Sequence, residues 1–365
     1  MRKGWEYKSF ETCINKLPKA KQVKTSEYSS GTKYPIISQE DKLISGYYDD
    51  ESYVFHIDSP VVIFGDHTRV LKYIDFDFVV GADGVKIISP QKDLNAKFLL
   101  YYLQWYKIPN LGYSRHYKLL REIKIPLPPQ STQLAIVSEL DKINELIRLK
   151  KEQLKDFDNL AQSLFYEMFG DPVENEKGWE VKKLGEIAKS AIGLTYKPEN
   201  VTEELSGIVV LRSSNIQNSI LDFNDIVRVN VLVKEDKMVN DGDILMCSRN
   251  GSFRLVGKVA LIKGLKERMS YGAFMTIIRS PYNPYLFEYF KTPAFRQYLI
   301  TGKTTTVNQI TVKMLNNLTL PLPPLSLQRL FAQRIEQIER EKSEVQKSIQ
   351  DLEILLASRM QYWFE

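Results

Sequence analysis

The sequence predicts an α+β protein in which two α/β domains are separated by two long antiparallel coiled-coil helices. The main observation is an internal repeat: Pro-Leu-Pro-Pro occurs at residues 126–129 and again, 195 residues later, at 321–324. A second repeated element, Gly-Trp-Glu, occurs at residues 4–6 and 178–180. Duplication on this scale predicts a pseudo-twofold molecule, which suits a partner or ligand that presents two related sites.

The repeat divides the chain into four segments. Residues 1–125 and 178–320 are the two predicted α/β domains, and residues 126–177 and 321–365 are the helical regions. In the domains, short apolar runs bounded by turn residues predict strands at Val61–Phe64, Phe78–Val80, Lys86–Ile88, Ile208–Leu211, Asp243–Met246 and Gly257–Ile262. One helix is predicted in each domain, from Asn95 to Tyr106 and from Pro284 to Leu299.

The two helical regions carry the clearest periodicity. Apolar residues recur at alternating steps of four and three from Ile136 to Met168, and the same steps run from Phe331 to Trp363. This is a heptad seam, the pattern of a coiled coil, and one lysine interrupts each copy, Lys150 and Lys342. The serine two residues after each proline pair, Ser131 and Ser326, is a predicted N-cap.

The order of the elements predicts a closed arrangement. The chain begins with Gly-Trp-Glu, and the same element follows the first long helix. The two chain ends are therefore expected to lie side by side, and the two helices to run antiparallel. A seam of this length measures about 48 Å at roughly 1.5 Å per residue, so the helices are expected to space the two domains. On a DNA ligand, two half-sites at the two ends of this seam would occupy part of that length. At the ~3.4 Å rise per base pair, the unread spacer between them is predicted to be roughly 5–8 base pairs.

Composition is that of an ordinary soluble protein. The chain has 365 residues, 43% hydrophobic and 26% charged, with a net charge of +5. This mildly basic balance is compatible with nucleic acid but is weak evidence for it. The two cysteines, Cys13 and Cys247, are far apart and without metal-ligand spacing, which predicts free thiols in a cytoplasmic protein. No apolar run approaches the ~18 residues of a membrane span, so no membrane association is expected.

The sequence offers no candidate catalytic, cofactor-binding or metal-binding residues. It lacks a glycine-rich dinucleotide loop and a phosphate-binding loop, since Gln297 stands where the loop containing Gly302-Lys303-Thr304 would need a glycine. The histidines have no metal-ligand spacing. Glu-x-Lys, which some nucleases use, occurs four times, twice inside the repeated Gly-Trp-Glu element, and this favours a structural role.

Polar loop clusters in both domains are the remaining candidates for function. Arg, Asn, Gln and Ser side chains read base edges, and Lys side chains hold phosphates, so these loops predict DNA contact. Arg249 with Asn250, and Arg69, are expected in equivalent loops that follow a strand. The alternative is that the loops are simply solvated. The candidate DNA-binding residues are Lys33, Arg69, Arg115, Lys197, Arg212, Ser213, Asn215, Arg249, Asn250, Lys303 and Asn308.

Several segments resemble the DNA-specificity (S) subunit of type I restriction-modification systems. They include Leu211-Arg212-Ser213-Ser214-Asn215-Ile216, Asp241-Gly242-Asp243-Ile244-Leu245, the segment Phe165–Pro172 and the two Pro-Leu-Pro-Pro elements with their glutamines, Gln133 and Gln328. The resemblance covers essentially the whole chain. The first domain departs from it most, with Ile36-Ile37-Ser38 where the second has Leu211-Arg212-Ser213.

The resemblance implies a non-catalytic subunit that recognises double-stranded DNA. The α/β domains would be target-recognition domains, each reading half of a split, asymmetric site. The helices would dock two methyltransferase (M) subunits, which carry S-adenosylmethionine, and motor/nuclease (R) subunits would join them. We expect the M subunits on the outer helix faces, near Leu146 and Leu330. The alternatives are a coiled-coil scaffold that binds protein and, more distantly, a self-contained nuclease or methyltransferase.

Overall fold

The computed structural model describes residues 2, 4–31, 33–112, 114–301 and 308–365. They form two compact units: the first runs to Gln153 and includes Val345–Glu365, and the second comprises Leu154–Glu344. Each long helix therefore contributes one half to each unit. Among the described residues, every helix is too short or too polar to cross a bilayer.

The first unit contains nine strands and two short helices besides the halves of the long ones. A four-stranded sheet has the order β3-β2-β7-β4, a three-stranded sheet has the order β6-β5-β8, and β1 pairs with β9. The strands are β1 Glu6–Ser9, β2 Tyr34–Ile37, β3 Gly46–Tyr48, β4 Val54–Phe55, β5 Val61–Gly65, β6 Leu71–Ile74, β7 Phe78–Val80, β8 Val85–Ile88 and β9 Lys124–Leu127, and the helices are α1 Ala96–Tyr106 and α2 Tyr117–Leu120.

The first long helix, α3 Gln130–Phe169, leads into the second unit. Its sheets have the orders β12-β16-β13-β19, β11-β20-β17-β18 and β14-β15, and β10 pairs with β21. The strands are β10 Glu180–Lys183, β11 Lys189–Ile192, β12 Val201–Thr202, β13 Ile208–Leu211, β14 Ile216–Gln217, β15 Ile220–Leu221, β16 Arg228–Val229, β17 Ile244–Cys247, β18 Val259–Leu261, β19 Met269–Tyr271, β20 Met275–Arg279 and β21 Thr319–Leu322, and the helices are α4 Leu184–Ile187, α5 Asn283–Lys291, α6 Pro293–Thr301, α7 Val312–Asn317 and α8 Leu325–Phe364.

The two units share one strand plan. In the first, β2 lies parallel to β7, and β5 lies between its antiparallel partners β6 and β8. In the second, β13 lies parallel to β19, and β17 lies between β18 and β20. Ile63 pairs with Lys72 and Ile87, and Leu245 pairs with Ala260 and Ile277, which makes these residues equivalent. The internal repeat is therefore a structural repeat.

Most predicted elements are present, with two differences. Asn95, where a helix is predicted to begin, is the N-cap of α1, because its side chain accepts a hydrogen bond from the N–H of Phe98. The single helix predicted from Pro284 to Leu299 is two helices, α5 and α6, because Pro293 has no N–H to continue the first. The long helices begin at Gln130 and Leu325, so the prediction of Ser131 and Ser326 as N-caps is wrong.

The helices begin two residues earlier than those N-caps would place them, because the second proline of each pair supplies the first helical carbonyl. Pro129 O accepts hydrogen bonds from the N–H groups of Thr132 and Gln133. The matched glutamines then fix the turn: the side-chain amide of Gln133 donates to Pro128 O, and that of Gln328 donates to Pro323 O. Both glutamines are buried. The repeated Pro-Leu-Pro-Pro element is thus a rigid strand-to-helix joint.

The heptad seam is buried within each unit. In the first unit, Ile136 and Leu140 pack in one cluster with Met360 and Phe364, and Glu139 pairs with Arg359. In the second unit, the Phe165 and Phe331 rings pack with centroids 6.0 Å apart, and the seam lysine Lys342 donates to Asp158 at 2.8 Å. Rising numbers on α3 meet falling numbers on α8, so the helices run antiparallel inside each unit. Lys150, the other seam lysine, bonds by its side chain to Gln153 of its own helix and to no other residue that the structure describes.

The two chain ends lie side by side, as predicted. The Arg2 guanidinium donates to the carbonyl oxygens of Tyr362 and Trp363, at 2.9 and 3.2 Å. It also lies over the rings of Trp5, Tyr362 and Trp363. A cation at the last carbonyls of a helix is favourable, so Arg2 stabilises the end of α8. Both cysteines are free and buried.

Candidate DNA interface

Three strand ends meet at one edge of the second unit. Gly272, just after β19, donates its N–H to Leu211 O at the end of β13, at 2.9 Å. The N–H groups of Ser248 and Arg249, just after β17, both donate to Phe274 O, at 2.9 and 3.0 Å. A fourth segment joins them, since Ile310 donates to Ser248 O at 2.7 Å. Loops positioned by rigid strands are common binding sites.

Four of the sequence-predicted residues come together at this edge. The Asn250 amide donates to Ser213 Oγ at 3.3 Å, and the Asn250 N–H donates to Asn308 O at 3.3 Å. Asn308 in turn donates from its side chain to Gly251 O at 2.9 Å. Arg249, which is exposed, lies with its guanidinium carbon 5.3 Å from the centroid of the Phe274 ring. We refer to Ser213, Arg249, Asn250, Phe274 and Asn308 as the strand-end cluster.

Arg212 lies beside the cluster but is already paired. It follows β13 directly, and its guanidinium contacts Asp225 at 2.7 Å. Its Nε is buried without a hydrogen-bond acceptor among the described residues. An arginine held by a carboxylate is less available to a guanine than a free one. Arg212 can therefore contact DNA only by sharing its guanidinium with Asp225 or releasing it.

The structure corrects the prediction for Asn215. Its exposed fraction is 1%, and its amide is fully used inside the loop. Oδ1 accepts from the Arg212 N–H at 2.8 Å, and Nδ2 donates to the carbonyl oxygens of Asp222 and Asp225, at 2.9 Å each. Asn215 thus ties the segment after β13 to the segment after β15. It positions Arg212 and Ser213 rather than contacting a ligand.

Two further predicted residues of the second unit lie apart from the cluster. Lys197 is exposed and pairs with Glu199 at 3.4 Å, and none of the contacts among the described residues joins it to the cluster. Lys303 lies outside the described residues. The motif Asp241-Gly242-Asp243 is structural, because Asp243 accepts from the Asn240 N–H at 2.9 Å and pairs with Arg279 at 3.0 Å.

The equivalent edge of the first unit is built by the same backbone contacts. Gly81, after β7, donates to Ile37 O at the end of β2, at 2.9 Å, and Asp66, after β5, donates to Gly84 O at 2.7 Å. Gln39 links the loops, because its side chain accepts from the His67 N–H at 3.2 Å and donates to Asp83 O at 3.1 Å. Gly84 has φ +92°, and a Cβ there would meet the Gln39 amide at under 3 Å.

The loop that carries Arg69 is equivalent to the Arg249 loop, as predicted, but Arg69 is not the residue equivalent to Arg249. Arg69 has φ 63°, and its guanidinium donates to Ile108 O at 3.2 Å, beyond the end of α1. Asp66 directly follows β5, and Ser248 directly follows the equivalent strand β17. The next residue in each unit is His67 and Arg249, so His67 is the residue equivalent to Arg249. The loop after β5 is therefore the equivalent one, but Arg69 serves as its internal clamp.

The other two predicted residues of the first unit differ in position. Arg115 is exposed at the strand-end edge and pairs with Asp83 at 3.3 Å. Lys33 is exposed but precedes β2, whereas the edge lies at the other end of that strand. Five residues of extended chain from Lys33 to Ser38 span roughly 16 Å. Lys33 is thus not brought to the same edge as Arg115.

Lys72, a buried lysine that the sequence did not single out, supports a loop of the first unit. Lys72 on β6 is 6% exposed, and its Nζ donates to Ser38 O at 2.9 Å and to Lys42 O at 2.5 Å. Burial lowers the pKa of this ammonium group, against the opposing effect of Glu40 and Asp41. The equivalent residue in the second unit is Ala260. Lys72 therefore supports the loop after β2, as Asn215 supports the loop after β13.

Sequence reasoning missed Gln39, His67, Asp83 and Phe274. One signal for two of them is visible in the sequence: Gly-Ala occurs at 81–82 and 272–273, and the next residue is Asp83 or Phe274. The described residues contain no group of three or more His, Cys, Asp or Glu placed to hold a metal ion. The geometry is that of a surface that can read a ligand by hydrogen bonds, with arginine, amide and hydroxyl groups at two equivalent edges.

Two α/β units that present polar loops at equivalent strand ends, joined through long paired helices, define a two-domain recognition protein. The model of the type I restriction modification DNA specificity domain family matches residues 3–156 and 176–353, and the chain belongs to this family. The family is one of DNA specificity, in keeping with the prediction that the chain is not itself an enzyme.

The chain is also similar to individual members. It is 27% identical to the type I restriction enzyme EcoKI specificity subunit of Escherichia coli K12 over 167 residues, which cover 44% of this chain and 36% of that protein. It is 26% identical to the EcoR124I/EcoR124II specificity subunit of Escherichia coli over 256 residues, covering 66% and 63%. The chain thus aligns with little more than a third of the EcoKI subunit.

Solved structures share the fold over the whole chain. The type I restriction-modification S subunit from M. genitalium matches with a TM-score of 0.57 at 15% identity, covering 99% of this chain and 96% of that one. A chain from a structural study of type I R-M complex assembly matches with a TM-score of 0.60 at 19% identity, covering 100% and 98%. At these identities the comparison establishes the fold, which is the α+β plan that the sequence predicts.

Proposed function

We propose that this chain is a non-catalytic recognition subunit that reads a bipartite, asymmetric site in double-stranded DNA. The observation that carries the proposal is the pair of equivalent strand-end edges. Both are built by the same backbone contacts, yet they present different side chains: Arg249, Asn250 and Asn308 in one, and Gln39, His67 and Arg115 in the other. Two readers of different chemistry suit two half-sites of different sequence.

In this proposal the catalytic chemistry belongs to partners. Two methyltransferase subunits bind S-adenosylmethionine and modify the DNA, and motor/nuclease subunits join the complex in the cytoplasm. The exposed leucines of the helices support docking there: Leu146 on α3 is 48% exposed and Leu330 on α8 is 44% exposed. Leu149, three residues after Leu146 and on the same face of α3, is also 46% exposed, and adjoining exposed apolar residues mark protein interfaces.

Selection from a random pool of duplex DNA tests the reading function. The chain is used alone and together with a methyltransferase partner, and bound duplexes are sequenced. We expect two short conserved blocks separated by a spacer of fixed length. A coiled-coil scaffold without DNA recognition would return the starting pool under both conditions, and that result would reject the proposal.

Arg249→Ala then tests the assignment of the interface. If Arg249 reads a base, the variant loses about 1–3 kcal/mol of discrimination at one position of one half-site. If it holds a phosphate, affinity falls for all sequences and the salt dependence weakens by about one counterion. Lys266→Ala, which removes an exposed cation in the loop between β18 and β19, outside the candidate set, is the control. If Arg249→Ala binds DNA with unchanged affinity and unchanged base preference, the strand-end edge of the second unit is not part of the DNA interface.

Mass measurement tests the docking surface. A reconstituted complex is expected to contain two copies of the methyltransferase per chain, and Leu146→Asp is expected to reduce that number. Leu205→Asp places the same charge on a residue that is 85% exposed in a loop of the second unit, and should leave assembly unchanged. Full assembly by Leu146→Asp would show that the partner docks elsewhere.

A further inference from the structure

Phe274 is an exposed aromatic residue on a turn with a fixed backbone. It is 58% exposed, although Tyr271 and Met275 on either side of the turn are buried. Its carbonyl accepts the N–H groups of both Ser248 and Arg249. The turn is also closely packed, because a Cβ at Gly193 would lie 2.3 Å or less from the Tyr271 and Gly272 carbonyl oxygens. The exposure of the ring is therefore a property of a rigid turn.

The ring is partnered by Arg249, whose guanidinium N–H groups have no acceptor within the part of the chain that the structure describes. The Arg249 guanidinium carbon lies 5.3 Å from the Phe274 centroid, within the range of a cation–π contact. Among the described residues, Arg249 makes no ion pair and no side-chain hydrogen bond, whereas Arg212 and Arg115 are each held by a carboxylate. The guanidinium thus lies over the ring, and its N–H groups have no partner among the described residues.

The equivalent turn of the first unit is one residue longer, with residues 81–84 against 272–274, and it holds its arginine in a different way. Gly81 and Gly272 each begin the turn by donating to the last residue of the parallel strand, Ile37 or Leu211, at 2.9 Å. The turn then carries Asp83 in the first unit, which pairs with Arg115 at 3.3 Å, and Phe274 in the second. A carboxylate orients an arginine but competes for its N–H donors. An aromatic face orients the guanidinium and leaves those donors to a ligand.

We propose that Phe274 is a specificity-determining residue that holds Arg249 for bidentate recognition of a guanine in the second unit's half-site. The inference deepens the proposed function and rests on it. Guanine presents two acceptors, O6 and N7, in the major groove, and a planar guanidinium matches them when its plane is fixed. Covering one face with a ring restricts the guanidinium before binding, so less freedom is lost in the complex.

The experiment uses the full chain with its methyltransferase partner and the site selected by the wild type. Four variants are compared by binding to that site and to its single-base substitutions: Phe274→Leu, Phe274→Tyr, Arg249→Ala and the double variant Phe274→Leu/Arg249→Ala. Phe274→Leu keeps apolar bulk but removes the aromatic face, and Phe274→Tyr keeps the face. Phe223→Leu is the matched control, because Phe223 is also exposed in the second unit but lies beside the helix pair.

We expect Arg249→Ala to relax the preference for guanine at one base pair of one half-site. Phe274→Leu should relax the same base pair by roughly two- to fivefold, the size of an exposed cation–π contact. It should have no further effect in the Arg249→Ala background. Phe274→Tyr should keep the wild-type preference for guanine, and Phe223→Leu should not change it. The salt dependence of Phe274→Leu should equal that of the wild type, since no charge is removed.

Two results would overturn the inference. Additive effects of the two substitutions, or effects on different base pairs, would show that the ring acts on its own. Unchanged preference in Phe274→Leu, with a clear loss in Arg249→Ala, would show that the ring does not orient the arginine. A wild-type chain that selects no sequence would instead reject the proposed function itself, so the two failures are distinguishable.

Discussion

Replacing Asn215 by aspartate is a one-atom change that should unfold the loop after β13. The carboxylate is nearly the same size as the amide and keeps an acceptor for the Arg212 N–H. It replaces the Nδ2 group, which donates to the carbonyl oxygens of Asp222 and Asp225. The variant therefore aims an oxygen at two carbonyl oxygens in a position that is 1% exposed.

The magnitude follows from the number of groups left without partners. A buried polar group that loses its hydrogen bond costs about 1–3 kcal/mol. Asn215→Ala leaves three such groups unpaired, so we expect a loss of at least about 3 kcal/mol in the free energy of unfolding. Asn215→Asp leaves two unpaired and adds a buried negative charge facing two carbonyl dipoles. We expect it to be at least as destabilising as Asn215→Ala.

Urea unfolding measures the loss, and hydrogen exchange followed by mass spectrometry locates it. Exchange should accelerate in residues 212–225 while the strands of the first unit keep their protection. Asn218→Asp is the control, because it makes the same chemical change at an exposed turn residue three positions away. If Asn215→Asp unfolds like the wild type, within about 0.5 kcal/mol, the reasoning about its amide is refuted.

Two further predictions concern pH. The hydrogen bonds from Arg359 hold the pKa of Glu139 below its ordinary value of 4.5, so the pair's stabilisation is present above that value and is lost as the pH falls through the lowered pKa. Glu139→Gln should therefore lose most of its stability deficit in acid, as measured by denaturant unfolding from pH 7 to pH 3. Burial lowers the pKa of Lys72 below its ordinary value of 10.5, so the folded state releases this proton before the unfolded state does. Stability relative to Lys72→Met should then rise with pH between the lowered pKa and 10.5.

Each pH prediction has a matched comparison on the same chain. Glu152→Gln removes a carboxylate that pairs only with Arg148 of its own helix, and exposed pairs of this kind contribute little. An equal acid dependence in both glutamine variants would contradict a special role for Glu139. Lys97→Met removes a half-exposed lysine of the first unit that pairs with Asp141. If its alkaline profile matched that of Lys72→Met, burial would not explain the behaviour of Lys72.

The repeat, the strands and the long helices could be predicted because each follows from local periodicity. The alternating steps of four and three place Ile136, Leu140 and Phe331 in the core, and these residues are fully buried. The joint before each helix was also readable, since paired prolines cannot lie inside a helix. The misplaced N-caps show what the prolines alone do not predict. The backbone carbonyl that starts each helix depends on the glutamine whose side chain bonds back to the first proline of the pair.

The candidate site was less predictable because side-chain direction depends on loop length and tertiary contacts. Arg69 was matched with Arg249 by residue type and by the place of its loop after a strand, and only the place of the loop was right. The loop after β5 is short, with Gly65 donating to Val70 O, whereas Cys247 donates to Lys258 O across a longer loop. In the short loop, Arg69 is turned to Ile108 and His67 takes the equivalent position. Asn215 was misjudged in a similar way, because its burial requires the hairpin β14–β15 to return over it.

What the two units share and where they differ bears on the asymmetry of the proposed site. The parts that repeat are the strand plan, the proline joint with its glutamine and the Gly-Ala turn, and all of these act within the fold. The parts that differ lie at the strand-end edges, as in His67 against Arg249 and Gly84 against Phe274. The supports beneath these edges differ too, with Lys72 in one unit and Ala260 in the other.

Shared structural residues and different edge residues are expected if both units must keep the same fold while each edge binds its own DNA sequence. A reader of two identical half-sites would need the same donors and acceptors at both edges, because each base pair presents a distinct pattern in the major groove. An imidazole and a paired arginine cannot reproduce the open guanidinium of Arg249. The difference in chemistry at equivalent positions therefore favours two half-sites of unlike sequence, read by one scaffold used twice.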